Sequence, residues 1–177
     1  MVTALREQIN RVKLIESKIT EIVKDYDKKD LIDAFMAFRG IGLITAVSIV
    51  SEVGNFSRFK SAPAFMSYVG VVPREHSSGS TIRKGSITKT GNTTLRYVLT
   101  EVSHHSRHMP NKSPRLEKCQ GNLPSKVIDI AWNAQVRLNH KYRSVAIRKG
   151  TQKAVTAVCR ELAGFIWAAA KEVESIR

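Results

Sequence analysis

Acidic residues are scarce in this chain and unevenly placed. Asp and Glu number 15 against 29 Lys and Arg, giving a formal net charge of +14 and a pI near 10.1. About half of those acids fall in the first 34 residues, so the remainder is more basic than the average suggests. Such an imbalance points to a polyanionic partner: DNA, RNA or an acidic membrane. Long apolar runs are lacking too, and none approaches the ~20 residues that span a bilayer, so a membrane partner is not expected. The N-terminus, M-V-T-A-L-R-E-Q-I-N, has no apolar signal core, and the expected location is the cytoplasm. Cysteine is nearly absent. Cys119 and Cys159 fit no CxxC or paired metal spacing and read as free thiols in a reducing compartment.

What is present in these 177 residues organises into one domain preceded by a helical segment. Residues 3 to about 34 read as helix. Leu5, Ile9, Val12, Glu16, Ile19, Val23 and Tyr26 step by four and three, a heptad seam with a charged intruder at Glu16 and widened by Ile15 and Ile22. Such a seam fits either a dimerising helix or one that packs on its own domain. Residues 1–34 are therefore taken as a coiled-coil-like connector and 35–177 as the main domain. Within that domain, Arg39-Gly40-Ile41-Gly42 followed by Leu43, Ile44, Ala46, Val47, Ile49 and Val50 reads as a turn and an apolar helix closed by Gly54. Residues 35–70 thus resemble a helix-hairpin-helix. The backbone N–H groups at Gly40 and Gly42 could meet a phosphate, or the glycines could serve only a tight turn. Ser61 and Pro63 mark the start of a short helix over Ala62–Tyr68.

Residues 71–91 form a Ser/Gly-rich loop with at most two short strands, and 92–177 supply three further helices. The first begins near Asn92 and carries Arg96 in its opening turns. Residues 110–123 are expected to be a loop. A helix runs from Pro124-Ser125 to about Ile147, and between Lys126 and Lys153 stand seven basic residues and one acid, Asp129, a cationic stripe. After Gly150 the last helix has a core stripe of Val155, Val158, Leu162, Phe165, Ile166 and Ala169, with Trp167 assigned to packing. The fold class is mainly α. His104 and His108 lie at i, i+4, but no Asp, Glu or Cys completes a ligand set, so no metal site is assigned.

The most telling stretch is Val72–Arg96, V-P-R-E-H-S-S-G-S-T-I-R-K-G-S-I-T-K-T-G-N-T-T-L-R. Ser77, Ser78 and Ser80 flank Gly79, and Arg74, Arg83, Lys84, Lys89 and Arg96 stand around them with only Glu75 in opposition. A hydroxyl among fixed cations suits attack on a phosphodiester, since the cations neutralise the phosphate and stabilise charge that develops on its oxygens. A polar turn with solvated charges has the same composition.

Pro73-Arg74, Ser77-Ser78-Gly79, Arg83, Gly85, Lys89, Gly91-Asn92 and Leu95-Arg96 resemble the signature of the insertion-sequence one-ten/one-sixteen/nine-oh-two transposases, the RNA-guided "bridge" recombinases. A second block resembles them too, from Gly40-Ile41-Gly42 through Thr45-Ala46 to Gly54, and from Phe56 to Tyr68-Val69-Gly70. The similarity covers about Leu31 to Lys171. It implies a prokaryotic, nucleoid-associated recombinase domain whose serine attacks DNA and forms a phosphoserine link. Matched along the motif, that serine is Ser78, with Arg83 and Arg96 expected at the phosphate oxygens, Arg74 and Lys89 holding the strand, and Lys84 among the DNA-binding cations. The resemblance also implies a structured guide RNA as a partner, and a separate RuvC-like domain whose acids hold Mg²⁺. No such acidic set is present here, so no cofactor is expected in this chain, and recombination by it alone is not expected. It would be a truncated gene product, an excised piece or the remnant of a decayed element. Two other readings remain beside the enzyme: a non-catalytic nucleic-acid-binding module, and an oligomerisation domain built on the first helix.

Overall fold

The computed structural model describes residues 2–75 and 84–176, with the backbone alone at Lys84. Helix α1 covers Val2–Lys24, α2 Lys29–Met36, α3 Leu43–Val53 and α4 Ala62–Val69. Strands β1 (Pro73–Glu75) and β2 (Lys84–Ile87) follow as an antiparallel pair, with Pro73 opposite Ile87 and Glu75 opposite Lys84. Then come α5 (Thr93–Ser103), a 3₁₀ turn (His104–Arg107), α6 (Pro114–Gln120), α7 (Ser125–Lys149) and α8 (Thr151–Ile176). The fold is mainly helical, and its only sheet among the described residues is this two-stranded hairpin.

Helix α8 is the axis of the core. It packs against α7, α4, α5 and α2 and buries Ala154, Val158, Leu162, Ala163, Ile166, Ala169 and Ala170. The small residues in that row let neighbouring helices approach closely. Gly150, at φ 83°, turns α7 into α8 with no intervening loop. On the far side of α8, Phe35, Phe56, Phe59, Phe65 and Tyr68 form a chain of edge and tilted ring contacts with centroids 5.1–6.5 Å apart. Trp167 packs on this core and donates its Nε1–H to the Phe59 carbonyl at 3.2 Å, a packing role as expected.

Three expectations need correction. The first helix does not run to residue 34. It ends at Lys24, and the chain turns through Asp25–Lys28 before α2 starts. Lys28 holds the new direction by donating its Nζ to the Gly54 carbonyl at 2.6 Å, which lets α2 bury Leu31, Ile32, Ala34 and Phe35. Second, residues 110–123 contain α6: Ser113 accepts from Leu116 N–H and Pro114 occupies the first turn. The segment from 92 onward therefore holds four α-helices and a 3₁₀ turn, not three helices. Third, the heptad seam divides. Val23 and Ile19 meet the core, whereas Leu5, Ile9, Val12, Ile15 and Ile22 are exposed, Leu5 to 62% and Ile22 to 67%.

The hairpin is held at its base by two glycines. Gly70 ends α4 in the left-handed region (φ 78°), and a Cβ there would lie 2.8 Å from Gly91 N. A Cβ on Gly91 would lie 2.0 Å from the Tyr68 carbonyl oxygen. This contact brings three backbone hydrogen bonds into register: Thr88 N–H to Val72 O (2.9 Å), Lys89 N–H to Gly70 O (3.1 Å) and Asn92 N–H to Tyr68 O (3.0 Å). Asn92 caps α5 by accepting from Leu95 N–H at 2.8 Å, and its Nδ2 donates to Glu52 Oε2 at 2.6 Å. Tyr68 donates its hydroxyl to the Glu52 carbonyl, so α3, α4 and α5 meet at one point from which the hairpin projects.

Gly91→Ala should destabilise the protein by about 2–4 kcal/mol in urea unfolding, because the obstacle is backbone that cannot rotate away. Gly42→Ala, with nothing within 4 Å of its Cβ and φ −96°, should cost no more than about 1 kcal/mol. Equal costs at the two positions would refute the close approach as the hairpin's anchor.

Candidate nucleic-acid interface

One face of the hairpin looks across a groove of about 1060 Å³ at the α7–α8 turn. Pro73 and Ile87 form the hairpin wall, and Lys89, Lys141, Arg148, Lys149, Lys153 and Arg160 bring six cations to the lining. Among the described residues no carboxylate lines it. These cations come together because Lys149 precedes the Gly150 turn by one residue, while Lys153 and Arg160 recur at helical spacing on α8.

The acids that could neutralise α7 lie on its other flank. Glu161 takes both Arg137 and Lys141 at 3.0 Å, and Glu172 takes Lys126 at 3.1 Å. The basic stripe expected between Lys126 and Lys153 is therefore split. Its first half is paired with α8 carboxylates, and Arg143 contacts Met109 Sδ, whereas the C-terminal end supplies the groove. Among the described residues the ion pairs give Lys141 a carboxylate partner, and Arg148 is steadied by Ser144 of its own helix. Sequence reasoning missed Arg160, although Lys153, Ala157 and Arg160 at i, i+4, i+7 carried the signal.

The residues singled out in the sequence separate in space. Ser78, with Ser77, Ser80 and Arg83, lies outside the described residues, as does the side chain of Lys84. Arg74 on β1 donates Nη2 to the Thr88 carbonyl at 3.3 Å across the hairpin and is otherwise exposed. Lys89 adopts a left-handed φ of 58°, unusual for a residue with a Cβ, and lines the groove. Arg96 is half-buried. Its Nη1 donates to Val69 O (3.1 Å) and Gly91 O (3.3 Å), and its Nη2 to Thr93 Oγ1 (3.3 Å). The guanidinium thus sits on the carbonyl end of α4, where the helix dipole favours a cation, and among the described residues its Nε–H and one Nη2 proton have no acceptor.

Gly40 and Gly42 lie far along the chain from this groove, in the turn between α2 and α3. Gly40 is at φ 84°, and a Cβ there would lie 2.6 Å from His105 Cδ2, so its glycine admits the imidazole of the 3₁₀ turn. Gly42 caps α3 with an open side. Arg39 donates to Met109 O (2.5 Å) and Gln135 Oε1 (3.0 Å), and Arg115 donates to Ile41 O, so both cations beside this turn are engaged with the protein. Among the described residues no three His, Cys, Asp or Glu side chains gather as metal ligands, and no helix is long and apolar enough to cross a membrane.

His105 carries the clearest electrostatic consequence of this basic crowding. Burial lowers its pKa from the ordinary 6.5, and Arg39, His108, Arg107 and Arg115 lower it further. The unfolded chain therefore binds more protons than the folded one just below pH 6.5. Stability from this group is complete above 6.5 and is lost as pH falls through the folded value. Urea midpoints should fall between pH 7.5 and pH 5.5, and His105→Gln should flatten that slope. A slope unchanged in the variant would assign it to other groups.

Comparison with known proteins identifies a family for part of the chain. Residues 32–119, which span α2 to α6 and enclose the whole hairpin junction, match the family described as Transposase IS116/IS110/IS902. The y4qE protein of Sinorhizobium fredii (strain NBRC 101917 / NGR234), named as a transposase, is 40% identical over 166 residues, covering 93% of this chain and 43% of that protein. A protein of Pseudomonas aeruginosa PAO1 named as a family 20 transposase is 32% identical over 99 residues, 54% of this chain and 29% of its own length. The transposase for insertion sequence element IS1111A of Coxiella burnetii is 27% identical over 139 residues, 78% of this chain and 32% of its own length. The chain spans less than half the length of each.

Proposed function

Residues 32–119 are a transposase domain of the IS116/IS110/IS902 family, and on that premise we propose that this chain is the part of a DNA recombinase that holds a DNA strand in the hairpin groove and attacks it with Ser78. The observation that carries the reading is the groove itself: six cations and, among the described residues, no carboxylate, between the α7–α8 turn and the hairpin whose two strands flank residues 76–83 in the sequence. Phosphates in that groove displace condensed counterions, which supplies binding with little sequence preference.

In the reaction the Ser78 Oγ forms a bond to phosphorus as one ester bond to deoxyribose breaks. The serine proton passes to a base or solvent, the departing sugar oxygen gains one, and a phosphoserine ester remains. Fixed cations favour this step because they stabilise charge on the phosphorus oxygens without reorganising. Arg74 and Lys89, on the two sides of the hairpin, would steady the strand, and Arg83 and the free N–H groups of Arg96 would face the phosphate. A structured guide RNA would present phosphates to the same kind of surface. Mg²⁺ belongs to the acidic domain that the family resemblance implies elsewhere, and no step is assigned to it here.

Binding of duplex DNA should weaken with salt at a slope of about −0.9 per phosphate contact, and Lys149→Ala, Lys153→Ala and Arg160→Ala together should reduce that slope by about two to three. With a suicide DNA substrate, guide RNA and the acidic domain supplied in trans, Ser78→Ala should abolish the denaturation-resistant protein–DNA adduct and leave binding intact. Ser77→Ala and Ser80→Ala should retain the adduct. An adduct that survives Ser78→Ala would overturn the assignment; salt-dependent binding with no adduct from the wild type would leave a non-catalytic binding module.

The exposed half of the α1 seam favours a second copy as its partner, since Leu5, Ile9 and Val12 repeat at heptad positions and stand exposed. Ile9→Lys with Val12→Lys should turn a sedimenting dimer into a folded monomer. A wild-type monomer at high concentration would rule this pairing out.

A further inference from the structure

Beside the cationic groove, and sharing Val71, Ile87 and Thr156 with it, is a pocket of about 330 Å³ of different character. Its walls are Val71 and Ile87 from the hairpin base, Arg96 and Tyr97 from α5, and Thr156 and the buried Cys159 from α8. It carries one cation where the groove carries six.

Tyr97 is the unusual residue here. It is 65% exposed and has neither a hydrogen bond nor a ring contact among the described residues. Tyr68, by contrast, is stacked and hydrogen-bonded, and Tyr142 packs on the core. An aromatic ring left open at the mouth of a largely apolar pocket offers a flat surface with no partner among the described residues. The position follows from α5: Thr93, Arg96, Tyr97 and Thr100 fall on one face at i, i+3, i+4 and i+7, and the Asn92 cap fixes where that face begins.

We propose that this pocket receives one unpaired nucleobase of the DNA strand whose phosphates lie in the adjoining groove, with the base stacked on Tyr97. Resting on the groove reading above, the inference adds that the preferred substrate has a locally unpaired base next to the bound backbone. A nucleotide combines a flat apolar face with an anionic phosphate one sugar away, and the two neighbouring cavities offer those complements in the same order. The hydroxyl of Thr93 and the remaining Nε–H of Arg96 stand at the pocket as donors to a base edge. Enzymes acting within a duplex meet an unstacking cost that is least for a base already unpaired, so such a pocket selects for that state.

The test compares two DNA duplexes that share one strand carrying a single 2-aminopurine, bulged where the complement lacks the facing nucleotide and fully paired where the complement supplies it, bound to the complete chain at fixed salt. The wild type should bind the bulged duplex about 5- to 100-fold more tightly, the range that one base–aromatic stack supplies, and should quench the 2-aminopurine. Tyr97→Ala should lose both the preference and the quenching while binding the paired duplex as before. Tyr97→Phe, which keeps the ring, should keep both. Equal wild-type affinity for the two duplexes, or a preference that persists in Tyr97→Ala, would overturn the pocket assignment while leaving the groove standing. Failure to bind either duplex at low salt would overturn the groove reading and this one with it.

Discussion

The contact between Gly70 and Gly91 is the constraint on which the site depends. Each residue occupies space that a side chain on the other would need, and Gly70 also requires a left-handed backbone. Only with both as glycine can the chain leaving α4 and the chain entering α5 run close enough for three ladder-like hydrogen bonds to close the hairpin base. Arg96 then lies over the junction and satisfies carbonyls from both segments, and a Cβ on Gly70 would also come within 2.9 Å of its Nη1. Glu52 adds α3 through Asn92 and Tyr68. A short two-stranded ribbon has little stability of its own in water, so its direction is borrowed from this three-helix anchor.

Charge is sorted by the same packing. Helix α7 carries cations along its length, and α8 supplies Glu172 to Lys126 and Glu161 to Arg137 and Lys141. Exposed ion pairs of this kind add little stability, about 0–1 kcal/mol each, but they decide where positive potential remains. It remains at the Gly150 turn, where the end of α7 and the start of α8 come together beneath the hairpin. Arg148 and Lys149 also lie in the last turn of α7, where the carbonyl dipoles favour cations. Local helix energetics and the demands of a polyanion therefore agree at this end of the molecule.

Much of the helical architecture was legible because its signals are local. Ser61, Asn92 and the Gly150 turn mark boundaries through capping chemistry and backbone freedom, and the α8 core stripe follows from period alone. The break after Lys24 was not legible, because Asp25–Lys28 contains no Gly or Pro; it is imposed by the reach of Lys28 to Gly54 and the burial of Phe35. Helix α6 was hidden among prolines that here open a helix instead of ending one. At the site, the hairpin cations were visible as a cluster in sequence. Their partners across the groove were not, since Lys149, Lys153 and Arg160 meet Lys89 only through the tertiary fold. The assignment of Arg96 to a phosphate overlooked the α4 carbonyls, which a sequence does not place beside it.

Six cations around one groove also oppose folding. Like charges in a concave site repel one another more than on a convex surface, since low-dielectric walls concentrate their field. That cost persists in the free protein because, among the described residues, Lys141 alone of the six has a carboxylate partner, Glu161. Phosphates entering the groove would relieve it, so binding free energy includes repulsion already stored in the fold. The neighbouring Tyr97 pocket has no comparable stored charge and gains from contact alone. Two adjoining cavities thus differ in what drives them, one by counterion release and relief of repulsion, the other by stacking, and salt acts strongly on only the first.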